Sequence, residues 1–131
     1  MSKEARESQR TMFVCAALFN FAAVFLLGMF QENVLPLLGM EPIANEAFLH
    51  LFLGLVFIFG LGYYRVSMSI EANRDIVWLG FWGKLLVVVL LIIHASQGNI
   101  SWGLAALGLG DLLFAVLFVR FLAIRPAKVR N

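Results

Sequence analysis

Residues 80–96 read GFWGKLLVVVLLIIHAS, an apolar run interrupted by one lysine, Lys84, where a charge is expensive. The run is long enough to cross a bilayer, because a hydrocarbon core of about 30 Å takes ~20 helical residues at ~1.5 Å each. Three further stretches meet the same criterion, which places four spans at about 12–30, 47–64, 76–95 and 101–121. Composition agrees: of 131 residues, 62% are hydrophobic and 14% charged, whereas a soluble domain carries roughly a quarter charged residues. The expectation is an all-α, four-transmembrane-helix bundle forming a single integral membrane domain over 1–131.

The first span, TMFVCAALFNFAAVFLLGMF, follows Lys3, Arg6 and Arg10 and has to be distinguished from a cleaved signal peptide. Signal h-regions run to ~7–15 residues and end at a small-residue site. This run continues at full span length into Gln31, Glu32 and Asn33, so it reads as an anchor. The single cysteine, Cys15, lies inside it, which excludes an intrachain disulfide and a C-x-x-C redox pair.

Once the spans are drawn, the cations sort by side. Lys3, Arg6 and Arg10 precede span one, Arg65 and Arg74 flank the 2–3 connection, and Arg120, Arg125, Lys128 and Arg130 close the chain. The 1–2 and 3–4 connections carry none. The positive-inside rule then puts both termini in the cytoplasm and faces 31–46 and the tight ASQGNIS turn outward. The net charge of +2 reports this topology and not affinity for nucleic acid. In the 1–2 connection, QENVLPLLGMEPIANE, Leu35, Leu37, Leu38, Met40 and Ile43 call for a place on the membrane interface or over the end of the bundle. Pro36 and Pro42 argue against one continuous helix there. No second domain and no fixed-period repeat is evident.

Glycines at 54, 60, 62, 80, 83, 103, 108 and 110 allow close helix approach, which drives association where lipid offers no hydrophobic gain. Tyr63, Tyr64, Trp78 and Trp102 fall near span ends and read as interfacial anchors.

Three polar residues lie too deep for a boundary: Asn20, Lys84 and Asp111. Each sits about nine or ten positions from its basic-side helix end, or roughly 13–15 Å along the axis, close to the midplane. A central Asp or Lys costs about 2.5–3.5 kcal/mol on insertion scales, so a partner is required. Spans three and four turn around Gln97 and Gly98, and Lys84 and Asp111 are equidistant from that turn, which puts them at one level. The expectation is a direct or water-bridged ion pair with the Asn20 amide beside it. It could serve as a clamp on helix register, or as a polar site for a proton, a solute, a quinone or a lipid headgroup.

A second constellation gathers toward the outer face. Glu46 and His50 share a helical face at i, i+4, and His94 stands at a similar height in span three. Glu46, His50 and His94 would be the ligands of a metal site if the helices brought them together. No phosphate-binding glycine loop, G-x-S-x-G elbow or H-E-x-x-H motif is present in the sequence.

The four spans in order and length, with FGLGYY ending span two, GFWGKL around Lys84 and LGDLLFAVLF around Asp111, resemble the broad DoxX/DoxD-like group of small four-helix bacterial membrane proteins. That resemblance implies the inner membrane and a link to quinone-dependent sulfur or thiol oxidation, with quinone as a cofactor by analogy and no catalytic residues to carry across. The functional expectation is an accessory or scaffold subunit, linked to a membrane redox or respiratory system, whose partners are the lipid bilayer and a membrane protein or a second copy of the chain. The alternative is a transporter or small-ligand binder working through Lys84, Asp111 and Asn20.

Overall fold

A computed structural model describes residues 1–124 of the chain, and among them every regular element is helical. Arg125, Lys128 and Arg130, three of the cations behind the expected orientation, lie outside the described residues. The elements are α1 (Lys3–Met29), α2 (Gln31–Leu37), α3 (Glu46–Met68), α4 (Arg74–Ser96), α5 (Trp102–Ala105) and α6 (Gly108–Ala123). Among the described residues four helical segments are long and apolar enough to cross a membrane: α1, α3, α4, and α5 with α6 together.

The helices outrun the expected spans for local reasons. The Ser2 hydroxyl accepts the Ala5 N–H at 3.1 Å and Glu4 occupies the first turn, a capped start favoured by the helix dipole. The basic segment before span one is therefore helix. In the 1–2 connection, Pro36 lies inside α2, which ends one residue later. The chain then turns through Gly39 at φ +77°, with Gly39 N–H on Pro36 C=O and Met40 N–H on Leu35 C=O, a glycine-terminated Schellman motif. The same motif ends α4, where Gly98 has φ +77°, its N–H meets Ala95 C=O and Asn99 N–H meets His94 C=O. Between α5 and α6 the bonds from Leu107 to Leu104, Leu109 to Ala106 and Gly110 to Leu107 tighten the fourth span locally.

Packing is densest within two antiparallel pairs, α1 with α3 and α4 with α6; α3 meets α4, and α1 meets α6, over shorter stretches. The two halves correspond. Arg10 Nε donates to Ser67 C=O at 2.8 Å, and an Arg74 terminal nitrogen donates to Leu122 C=O at 2.8 Å. Asn20 donates to Val56 C=O at 3.0 Å, and Lys84 donates to Asp111 at 2.7 Å. Asn20 and Lys84 are 64 positions apart, as are Arg10 and Arg74. Partner separations of 57 and 36 in the first half become 48 and 27 in the second, nine fewer in both cases. Burial follows the same register: Phe13 and Val77, Ala16 and Gly80, Gly60 and Ala115, Tyr63 and Phe118, and Val66 and Phe121 are all buried. Corresponding residues also touch, with the Tyr63 and Phe118 ring centroids 5.0 Å apart and Lys84 bonded to Asn20.

The offset between the halves is 64 residues for the first helix of each and 55 for the second, because the first connection is longer, so the correspondence has no fixed period. Side-chain identities also differ, and the likeness lies in burial and contacts.

The main core lies between the mid-depth residues and the basic end. It is built from Phe13, Ala16, Ala17, Tyr63, Val66, Ile70, Val77, Phe114, Phe118 and Phe121. Tyr63, expected as an interfacial anchor, belongs here at 1% exposure. Gly80 makes room for it: a Cβ there would lie 2.6 Å from Tyr63 Cε1. Trp78, Tyr64 and Trp102 are exposed, consistent with an interfacial role. Gly54, by contrast, has no atom within 4 Å of an added Cβ and serves no helix contact.

Candidate functional site

Lys84 on α4, Asp111 on α6 and Asn20 on α1 meet at one level. Lys84 Nζ donates to Asp111 Oδ1 at 2.7 Å and to Asn20 Oδ1 at 3.2 Å, so the pair is direct and not water-bridged. The Asn20 amide nitrogen donates to the Val56 carbonyl of α3 at 3.0 Å. All four main helices are therefore tied to one polar cluster. The approach of α1 to α3 at this level depends on Gly60, where an added Cβ would stand 3.2 Å from Asn20 Cβ and 2.6 Å from the Phe21 ring.

The ammonium is also enclosed by aromatic faces. Nζ stands 5.2 Å from the Phe19 ring centroid, 5.4 Å from Tyr63 and 5.5 Å from Phe114, within the range of cation–π attraction. An ammonium has three N–H bonds and no acceptor; two of them meet oxygens and the third is left facing ring quadrupoles. The Lys84 side chain is 5% exposed and that of Asp111 20%. Among the described residues no buried side-chain nitrogen or oxygen lacks a partner. Asp111 lies in the first turn of α6, where the helix dipole favours a carboxylate.

Phe19, Tyr63, Phe114 and the Val56 carbonyl escape the sequence reading. The signal for Tyr63 is faint: Gly80 precedes Lys84 by one turn on the same helical face and leaves a gap that a large ring fills. The others carry no pattern that separates them from ordinary lipid-facing residues.

The second constellation does not assemble. Glu46 Oε1 accepts from Gln31 Nε2 at 3.1 Å, and the His94 Nδ1 edge pairs with the Asn99 amide at 3.1 Å. His50 instead borders an apolar groove of about 560 Å³ between α1 and α3, lined also by Phe21, Phe25, Met29 and Phe57. Among the described residues no three His, Cys, Asp or Glu side chains are grouped so as to hold a metal ion. The reason is the pairing of the helices: α3 packs on α1, and α4 on α6, so Glu46 and His50 share no dense interface with His94.

The connection between α1 and α3 contains a polar contact that the sequence does not signal. Gln31 is buried; its amide oxygen accepts the Ile43 N–H at 3.0 Å while its nitrogen holds Glu46. The middle of that connection meets the start of α5, where the hydroxyl of its N-cap residue Ser101 donates to Leu38 C=O at 2.6 Å. The connection therefore caps the end of the bundle opposite the basic end.

Comparison with protein-family models, curated proteins and solved structures finds no match to this chain.

Proposed function

We propose that the chain is an accessory or scaffold subunit of a membrane redox or respiratory system, multi-pass in the bacterial inner membrane. The Lys84, Asp111 and Asn20 cluster then acts as the internal clamp that fixes its helices. The observation that carries this reading is the saturation of Lys84: both oxygen acceptors come from the chain itself, three rings close the remaining faces, and the two grooves between α1 and α3 are lined by other residues. Such a site organises helices more readily than it turns over a substrate.

Orientation with both termini cytoplasmic is supported by Arg6, Arg10, Arg65, Arg74 and Arg120, which share one end of the bundle, while the opposite connections carry no lysine or arginine. The resemblance to the DoxX/DoxD-like group supports the redox association and any role for quinone.

Crosslinking in native membranes tests the proposal. An accessory subunit yields a covalent adduct with a larger membrane protein; adducts containing copies of this chain alone would overturn it.

A second reading, a transporter or small-ligand binder, is favoured by one observation. The cluster bridges two corresponding halves near mid-depth, where carriers built from repeats place their substrate sites, and Asp111 keeps 20% of its side chain open. The Lys84→Met/Asp111→Leu double variant separates the two readings. If it folds and retains the cellular phenotype, the cluster is a clamp; if it folds and the phenotype is lost, the cluster contacts a ligand.

A further inference from the structure

The correspondence between the halves exposes one place where they differ in chemistry. At the basic end, a groove of about 330 Å³ between α1 and α3 is lined by Arg10, Thr11, Val14, Tyr64, Ser67 and Met68. The matching positions between α4 and α6 hold Arg74, Asp75, Trp78, Val119, Leu122 and Ala123. Only the arginine is shared. The second half replaces three hydroxyl residues by a carboxylate and two aliphatic side chains, and its Arg74 guanidinium lies 4.9 Å over the Phe121 ring. The first half keeps an arginine among hydroxyls at a membrane-facing groove.

From this contrast we infer that the α1–α3 groove binds the phosphodiester headgroup of an anionic phospholipid. Arg10 spends its Nε on the Ser67 carbonyl at 2.8 Å, which holds the guanidinium in place; its terminal nitrogens form no hydrogen bond among the described residues. A fork fixed in this way loses little freedom on meeting a planar or tetrahedral oxyanion. Tyr64, half exposed, lies one turn deeper than Ser67 on α3 and brings a phenolic donor to the same groove. Ser67 and Thr11 direct their hydroxyls to the carbonyls of Tyr64 and Glu7, so Arg10 and Tyr64 are the donors that remain.

The acids nearby leave that charge open among the described residues: Glu71 is paired with Arg6 at 3.1 Å, and the Glu7 carboxylate forms no ion pair with Arg10. Deeper along the same faces, Val14, Leu18 and Leu61 present apolar surface that an acyl chain would follow. Basic pockets between spans on the cytoplasmic side are the sites anionic headgroups use.

The inference rests on the chain being embedded in a bilayer, and its test reads that separately. The full chain is reconstituted into phosphatidylcholine vesicles containing a minority of phosphatidylglycerol, and the lipids it retains are counted by native mass spectrometry. The expected result is one preferentially retained phosphatidylglycerol. Arg10→Gln lowers that retention about tenfold, the loss expected for one charge-assisted contact. Tyr64→Phe, which keeps the ring, lowers it a few-fold and guards against misfolding of the arginine variant, while Arg74→Gln leaves it unchanged. Equal retention of the two lipids, or full retention by both Arg10→Gln and Tyr64→Phe, would overturn the inference. So would lipid-independent binding of glycerol phosphate with the same Arg10 dependence, which would make the groove a site for soluble anions. Retention of neither lipid would overturn the membrane placement as well.

Discussion

Replacing Asp111 by leucine should destabilise the bundle far more than replacing Asp111 and Lys84 together. At 2.7 Å and an effective dielectric of about 20, the pair attracts by about 6 kcal/mol. Desolvation of two ions at mid-depth offsets several kcal/mol of that, so the pair as a whole is near break-even against a well-packed apolar replacement. Removing one member is different, because the other keeps its desolvation cost without its partner. Breaking a buried pair in this way costs about 3–5 kcal/mol, and the lower figure applies to Asp111→Leu because Asn20 still accepts from Lys84. Lys84→Met should cost less, about 2 kcal/mol, since the stranded Asp111 is four times as exposed as the stranded lysine (20% against 5%). The double variant Lys84→Met/Asp111→Leu should return to within about 1 kcal/mol of the parent, giving a coupling energy of about 4 kcal/mol. Reversible unfolding in mixed micelles, followed by helical circular dichroism, measures all four corners of the cycle. For a chain of this size, 3 kcal/mol corresponds to a midpoint shift on the order of 10 °C. Additivity of the two single changes within about 0.5 kcal/mol, or an Asp111→Leu variant as stable as the parent, would refute the clamp.

Two further predictions use other contacts in the bundle. Gly80→Ala should cost about 1–3 kcal/mol in the same assay, because its methyl would press on a Tyr63 ring that is fully enclosed. Gly54→Ala, with no atom within 4 Å of the new methyl, should change stability by less than about 1 kcal/mol; equal effects at the two sites would contradict the packing described. Gln31→Leu leaves the Ile43 N–H and the Glu46 carboxylate without their partner, so amide exchange at Ile43 should accelerate by roughly tenfold or more. An unchanged Ile43 rate would show that the amide does not hold the connection between α1 and α3.

The sequence alone determined the number of long apolar helices and the level of the polar residues along them, because both follow from run length and the fixed helical rise. It also placed Lys84 opposite Asp111, since a tight turn leaves antiparallel neighbours only one register. The tertiary structure decided which helix pairs with which, and that pairing determines the rest of the site. Because α1 packs on α3 and α4 on α6, Asn20 reaches both Lys84 and the Val56 carbonyl, Tyr63 turns inward over Gly80, and Glu46, His50 and His94 fail to converge. An apolar helix in lipid carries little periodicity to mark its inner face, because lipid and protein interior are equally welcoming to leucine and phenylalanine. The inner face, and with it the correspondence between the halves, becomes visible only when close approach and hydrogen bonding select it.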